Sequence, residues 1–99
     1  MKQTYGAWKD QHPDRGSLAA RFTVDFRAQH GHGPSYRQLC TGLGWDVPHC
    51  LRTFIVYRLL VNEWLIETVA KPWTLRPGNT AEADGIALPG RTLQANRRS

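Results

Sequence analysis

The chain has 99 residues, with 13 Lys and Arg against 8 Asp and Glu and a formal charge of +5 at pH 7. This length builds one domain and leaves too little room for a separate catalytic domain, so the sequence predicts a protein that is not an enzyme and acts through a surface. The basic charge suits a polyanionic partner, although charge alone does not identify one.

Neither a membrane segment nor an export signal is predicted. The most apolar stretch, residues 54–66, is interrupted by polar side chains and is too short to span a bilayer. Residues 1–16 contain no apolar run of the kind that a signal peptide needs. The two cysteines, Cys40 and Cys50, do not form a disulfide framework, so a reducing cytoplasm is the expected compartment.

Composition divides the chain into three parts. Residues 1–16 are polar and broken by Gly and Pro, which predicts a flexible arm carrying Tyr5 and Trp8. Residues 17–78 carry the apolar periodicity of a folded domain. Residues 79–99 mix small, polar, Gly and Pro residues and are predicted to form a disordered tail.

Two helices are predicted in the first half of the domain. Ser17 is placed to cap the first, because Leu18, Phe22 and Phe26 follow at steps of four and indicate one apolar face. The glycines after residue 30 end this helix. The second helix is short, over about 36–41.

The start of this second helix carries a specific local signal. Ser35 and Gln38 have the spacing of a capping box, in which each side chain bonds the backbone amide of the other residue. From this second helix and its C-terminal end, Leu39, Cys40 and Leu43 are predicted to point toward the core.

A third helix is predicted over about 47–62, with Asp46 as its cap and Pro48 in its first turn. Residues 54–57 also have high β propensity, but the capped start favours a helix. The side predicted to face the core consists of Val47, Leu51, Phe54, Ile55 and Val61, with the stem of Arg58. The side predicted to face solvent carries His49, Arg52, Thr53 and Val56, followed by Leu60 and Glu63.

A two-stranded hairpin, or wing, is predicted over about 64–76. Residues 64–69 and 73–76 are rich in strand-forming side chains, and Ala70-Lys71-Pro72 joins them. The sequence therefore predicts a mainly α fold with a small β-hairpin. The order of three helices and a two-stranded wing is that of a winged helix-turn-helix, in which the third helix enters the major groove of DNA.

The chain resembles a known family in the same region. Residues 33–48, GPSYRQLCTGLGWDVP, are similar to the Pro-Thr/Ser-x-Arg-Glu-Ile-Ala-x-x-Leu-Gly-x-x-Ser-Pro pattern of the N-terminal DNA-binding domain of the LexA repressor family. Residues 65–67 and 76–77 lie where the wing of that family lies. The resemblance covers roughly residues 18–77 and implies a winged helix-turn-helix domain that binds double-stranded DNA.

The chain also departs from the family pattern. Gln38 replaces the usual Glu, Cys40 replaces Ala, and Asp46 replaces the Ser cap. Asn62-Glu63 replaces the usual Lys-Gly before the wing, and the third helix is one residue longer. Self-cleavage, which belongs to the protease domain of the full repressors, is not carried over.

The candidate base contacts lie on the third helix. The resemblance implies that His49, Cys50, Arg52 and Thr53 face the groove, and the helical wheel independently exposes His49, Arg52, Thr53 and Val56. Arg52 has the donors for a bidentate contact with guanine, whereas Thr53 and Val56 suit thymine methyl groups. His49 can donate to a base or a phosphate.

The candidate backbone contacts lie on the second helix and the wing. Ser35, Tyr36 and Arg37 begin the second helix, where free amides and a cation would hold a phosphate. Lys71 and Arg76 are expected to supply the phosphate contacts of the wing.

The expected function is sequence-specific binding of double-stranded DNA by a transcriptional regulator, as a homodimer on a two-fold site. The alternative is a protein-interaction module, favoured by the apolar side chains of Val56, Leu60 and Leu59. No cofactor is expected. No metal is expected either, since the histidines and cysteines match no standard zinc spacing.

Overall fold

A computed structural model of the protein describes residues 4–69 and 71–88. The predicted class is confirmed, because these residues are mainly helical and contain a small antiparallel sheet. None of the helices in the described residues is long and apolar enough to cross a membrane. The elements, in chain order, are α1 (Tyr5–Gln11), α2 (Arg15–His30), α3 (Tyr36–Gly42), α4 (His49–Val61), β1 (Leu65–Ile66), β2 (Arg76–Pro77) and α5 (Asn79–Ala83).

The N-terminal segment forms a helix where a flexible arm was expected. The side chain of Thr4 caps α1 by accepting a hydrogen bond from the amide of Ala7 at 3.2 Å. Trp8 is 1% exposed and packs edge-on against Trp45, with ring centroids 4.9 Å apart. Its other face stacks on His12 at 4.4 Å. The buried Trp8, together with the partly buried Tyr5, therefore attaches this polar segment to the core.

The buried face of α2 consists of small residues. The helix begins at Arg15, so Ser17 lies inside it and donates its hydroxyl to the carbonyl of Asp14. Leu18, predicted to point inward, is exposed. A Cβ on Gly16 would collide with the indole of Trp64, which shows how closely the segment after α4 approaches α2. The buried residues of α2 are Gly16, Ala19, Ala20 and Thr23.

The predicted capping box of α3 is confirmed. The hydroxyl of Ser35 accepts the amide of Gln38 at 3.0 Å, and the Gln38 side chain accepts the amide of Ser35 at 2.9 Å. Leu39 and Cys40 point into the core as predicted. The helix ends at Gly42.

The long helix α4 is confirmed, but its faces differ from the prediction. It begins at His49 after Pro48, and Asp46 is not its cap. Leu51 and Ile55 are buried as predicted. The buried face is rotated around the helix axis relative to the prediction. Val56, expected in solvent, is therefore buried, and Phe54 and Val61, expected in the core, are exposed. The buried residues of α4 are Leu51, Ile55, Val56 and Leu59.

The strands of the hairpin are shorter than predicted, with two residues each, and pair Leu65 with Pro77 and Ile66 with Arg76. The segment before α3 lies against it. The amide of Gly33 donates to the carbonyl of Trp73 at 2.9 Å, and a Cβ at Gly33 would collide with the backbone of Leu75, the residue before β2. A glycine is required here because the two backbones approach so closely.

The chain continues beyond the hairpin as a folded segment. Residues 79–83 form α5, and Ala81 and Ile86 pack with Ala20 of α2 in a second small core cluster. Residues 79–88 are therefore part of the domain and not the expected tail. The remainder of the predicted tail, residues 89–99, lies outside the described residues.

Candidate nucleic-acid interface

Helix α3 lies between the hairpin and α4. Its start lines a cleft of about 210 Å³ together with Glu67, Lys71 and Trp73 of the hairpin. Its last residues, Cys40 and Thr41, line a second cleft of about 210 Å³ together with Arg52 of α4. Predicted site residues of three elements therefore line two clefts, one near each end of α3.

Arg52 is held at the flank of α4 that faces the end of α3. One of its guanidinium nitrogens, Nη2, lies 2.9 Å from Nδ1 of His49, which accepts the hydrogen bond when that ring nitrogen carries no proton. Burial raises the pKa of the nearby Cys40 thiol to about 11, and the positive charge of Arg52 opposes that rise. The guanidinium has five N–H donors, so the contact with His49 leaves donors for a ligand.

Thr53 and Val56 have different surroundings. Thr53 is exposed, as predicted for a residue that contacts DNA. Val56 is 0% exposed and belongs to the core, so its assignment as a base contact is wrong. Val56 faces the core because the buried face of α4 includes it together with Ile55 and Leu59.

The start of α3 is used mainly for internal contacts. The hydroxyl of Tyr36 donates to the carboxylate of Glu67, whose two oxygens lie 2.8 and 2.9 Å away. Burial, which is the largest cause, and the hydrogen bond and negative charge of Glu67 together raise the pKa of Tyr36 to about 12. Tyr36 therefore fastens α3 to the hairpin.

The same region keeps one predicted phosphate contact available. Because the capping box uses the amides of Ser35 and Gln38, these donors do not point to a ligand. Arg37, by contrast, is exposed on the surface of α3.

The two cationic residues of the hairpin, Lys71 and Arg76, differ in exposure. Lys71 is exposed at the loop, where it is available to a phosphate. Arg76 is half-buried, and its Nη1 donates to the carbonyl of Thr74 at 3.0 Å and, at 3.4 Å, to the hydroxyl of Thr68. Arg76 therefore supports the conformation of the loop that presents Lys71.

No protein-family model, no curated protein and no solved structure matches this chain. What the surface can do is therefore inferred from its own residues. In the described part of the chain, no three His, Cys, Asp or Glu side chains lie close enough together to hold a metal ion.

Sequence reasoning missed an exposed apolar surface on α4. Phe54, Tyr57 and Val61 are 43%, 55% and 49% exposed, and Cys50 on the same side of the helix is also exposed. We call these four residues the outer stripe. The signal was present in the sequence, because α4 carries apolar residues at helical spacing on two sides and only one of them can face the core.

Proposed function

We propose that the protein is a transcriptional regulator that binds double-stranded DNA through a winged helix-turn-helix surface similar to that of the LexA repressor family. In this proposal the N-terminal half of α4 lies in the major groove and the hairpin contacts the backbone. The observation that supports it most is that Lys71 and Arg52 line clefts near the two ends of α3, the helix that carries the exposed Arg37.

The base contact is assigned to Arg52. Its contact with His49 fixes one edge of the guanidinium, and a fixed guanidinium loses less freedom when it forms a bidentate contact with guanine. The exposed Thr53 is one residue further along the helix and suits a thymine methyl group.

The carboxylates of the surface favour this division of roles. Glu67 is engaged by Tyr36, so its charge is partly compensated by a hydrogen bond. Asp46 is exposed and lines the same cleft as Arg52, where its charge opposes a phosphate. A base edge is therefore the better ligand for Arg52, whereas Arg37 and Lys71 suit phosphates.

The test is a titration of fluorescently labelled random-sequence duplex DNA, followed by anisotropy at several salt concentrations. Binding should weaken steeply with salt, with a slope of about 0.9 in log–log terms for each phosphate contacted. Arg37→Ala and Lys71→Ala should each reduce that slope by about 0.9. Arg21→Ala is the matched control, because it removes the same charge from a cleft formed by α2 and the segment after α5.

Specific recognition is tested on a duplex selected from a random pool with the unmodified protein. There Arg52→Ala should weaken binding about 5- to 150-fold, which corresponds to about 1–3 kcal/mol for a bidentate base contact. Arg52→Lys keeps the charge and should not restore the preference. The DNA-binding proposal is wrong if the protein does not bind at low salt, or if Arg21→Ala and Arg37→Ala reduce the slope equally.

A protein partner is the second candidate function, and the outer stripe is the observation that favours it. The residues first expected to form such a surface are not available for it, because Val56 and Leu59 are buried and Leu60 is half-buried against the same core. The exposed apolar side chains are instead those of Phe54, Tyr57 and Val61. Binding through them would depend little on salt, which distinguishes it from binding to DNA.

A further inference from the structure

The outer stripe has the spacing of a helix-packing seam. Its residues, Cys50, Phe54, Tyr57 and Val61, follow one another at intervals of four, three and four. This alternation keeps one side of a helix against a second helix over several turns. From the described residues outside α4, the ring of Tyr5 of α1 contacts the stripe, 5.0 Å from that of Phe54 in an edge-on arrangement.

We infer that the outer stripe is covered by the same stripe of a second copy of this chain, with the two α4 helices antiparallel. In an antiparallel pair related by a two-fold axis, each contact occurs twice. Phe54 and Tyr57 lie at equal distances from the middle of the stripe, so each Phe54 meets Tyr57 of the partner subunit. Cys50 and Val61 are likewise equidistant, so the small thiol meets Val61 of the partner subunit.

The charge distribution favours a second copy over a charged macromolecule. The protein carries +5, so two copies repel each other wherever their basic surfaces meet. The outer stripe itself contains no charged residue; Thr53 on one side of it is uncharged, and the half-buried Arg58 on the other side lines a cleft that Asp14 and Asp84 also line. Two copies can therefore meet through the uncharged stripe, with Arg58 at its edge beside the carboxylates of its own subunit, whereas an acidic or basic partner finds no opposite charge in the stripe.

The exposed area suits a weak, reversible dimer. An aromatic side chain offers roughly 150–250 Å² for burial, and Phe54 and Tyr57 are 43% and 55% exposed. These two and Val61 therefore offer roughly 250 Å² of apolar surface per copy. Even with a polar rim this is at the low end of specific interfaces, below about 1,200 Å² in total. Association is thus expected to depend strongly on protein concentration.

Disulfide trapping tests both the pairing and its direction. In Val61→Cys, the new thiol faces Cys50 of the partner subunit, so oxidation should give a covalent dimer on non-reducing gels. The unmodified protein should remain monomeric on the gel, because in the antiparallel pair its two Cys50 residues lie roughly 16 Å apart along the helix, given a rise of about 1.5 Å per residue. The double variant Cys50→Ser with Val61→Cys is the control and should also fail to cross-link. Cys40 is buried and does not contribute.

Each outcome of the trapping experiment decides the inference. A covalent dimer in Val61→Cys alone supports the antiparallel pair. Cross-linking of the unmodified protein through Cys50 would show a parallel arrangement and overturn it. Equal cross-linking in the control variant, or none in Val61→Cys, would also overturn it.

The mass of the protein in solution gives a second, independent test. Sedimentation equilibrium over increasing concentration should show a monomer–dimer equilibrium, and Tyr57→Lys should remain monomeric because it places a charge at the centre of the seam. Val69→Lys is the matched control, since Val69 is 86% exposed on the hairpin loop and lies outside the stripe. A monomer at all concentrations, or an unchanged dimer in Tyr57→Lys, would overturn the inference. Neither experiment contains DNA, so the outcome is independent of the proposed DNA binding.

Discussion

The effect of replacing Trp8 on the free energy of unfolding distinguishes an N-terminal helix that packs on the core from a flexible N-terminal arm. Trp8→Ala removes a side chain that is 1% exposed and packs against Trp45 and His12. Replacing a buried Trp or Phe by Ala typically lowers the free energy of unfolding by about 3–5 kcal/mol, since transfer and cavity terms add. A domain of this size has a total of about 5–15 kcal/mol, so the variant should lose a large part of its stability.

Urea denaturation followed by far-ultraviolet circular dichroism measures this loss as a shift of the midpoint. Trp73→Ala is the matched control, because Trp73 is 45% exposed on the hairpin loop and its removal should cost about 1 kcal/mol or less. If the two variants lose equal, small amounts, Trp8 does not pack in the core. Residues 4–16 would then be the flexible arm that composition alone predicts.

Two further predictions concern backbone strain and ionisation. Glu63 has a left-handed backbone, with φ of 63°. The free energy of unfolding, measured by urea denaturation, should therefore be about 1 kcal/mol higher for Glu63→Gly than for Glu63→Ala. Both variants lose the hydrogen bond to Asn79, so equal midpoints would show that no strain is relieved. Subtracting the phenolate titration of Tyr36→Phe from that of the unmodified protein should give a midpoint of about 12 for Tyr36, because burial and then Glu67 raise its pKa from 10.0. Because the pKa of Tyr36 is higher in the folded than in the unfolded protein, its contribution to the free energy of unfolding is complete below pH 10 and is lost as pH rises toward 12. A titration midpoint near 10 would contradict the contact between Tyr36 and Glu67.

Local signals in the sequence were sufficient for the elements that position the candidate site. The capping box depends on two residues three positions apart, and the end of α3 depends on the glycines beside it. The capping box and the helix end lie within a few residues of each other, so a local pattern contains the information needed. For the hairpin, strand-forming residues indicated its place in the chain, whereas its two short strands and the long connection over residues 67–75 were not predicted.

Contacts between distant residues decided what the sequence did not reveal. Trp8 is buried by Trp45, which is far along the chain, and no pattern near Trp8 indicates that partner. The buried face of α2 is selected by the close fit of Trp64 over Gly16, so small residues are buried while Leu18 is exposed.

The error at Val56 has the same origin. A helical wheel orders the residues around α4, but the positions of α2, α3 and the sheet determine which arc faces the core. Arg52 and Thr53 lie outside the buried arc, and Val56 lies within it.

The two proposals for α4 are not independent, because one helix serves both. A major groove is about 12 Å wide and accepts one α-helix, whereas two packed helices lie about 8–10 Å apart axis to axis and are together much wider than the groove. A molecule whose outer stripe is paired therefore cannot insert α4 into DNA, and a homodimer on a two-fold DNA site would have to form through another surface.

Competition between DNA and self-association follows from this geometry. Adding duplex DNA at low salt should lower the yield of covalent dimer in Val61→Cys, and high salt should restore it because DNA then dissociates. Combining Val61→Cys with Arg37→Ala should also restore the dimer at a DNA concentration that suppresses it otherwise, since Arg37 lies on α3, outside the stripe. If anisotropy shows DNA bound while the yield of covalent dimer stays the same, α4 is not the element that enters the groove, and DNA must bind to a surface that pairing leaves open.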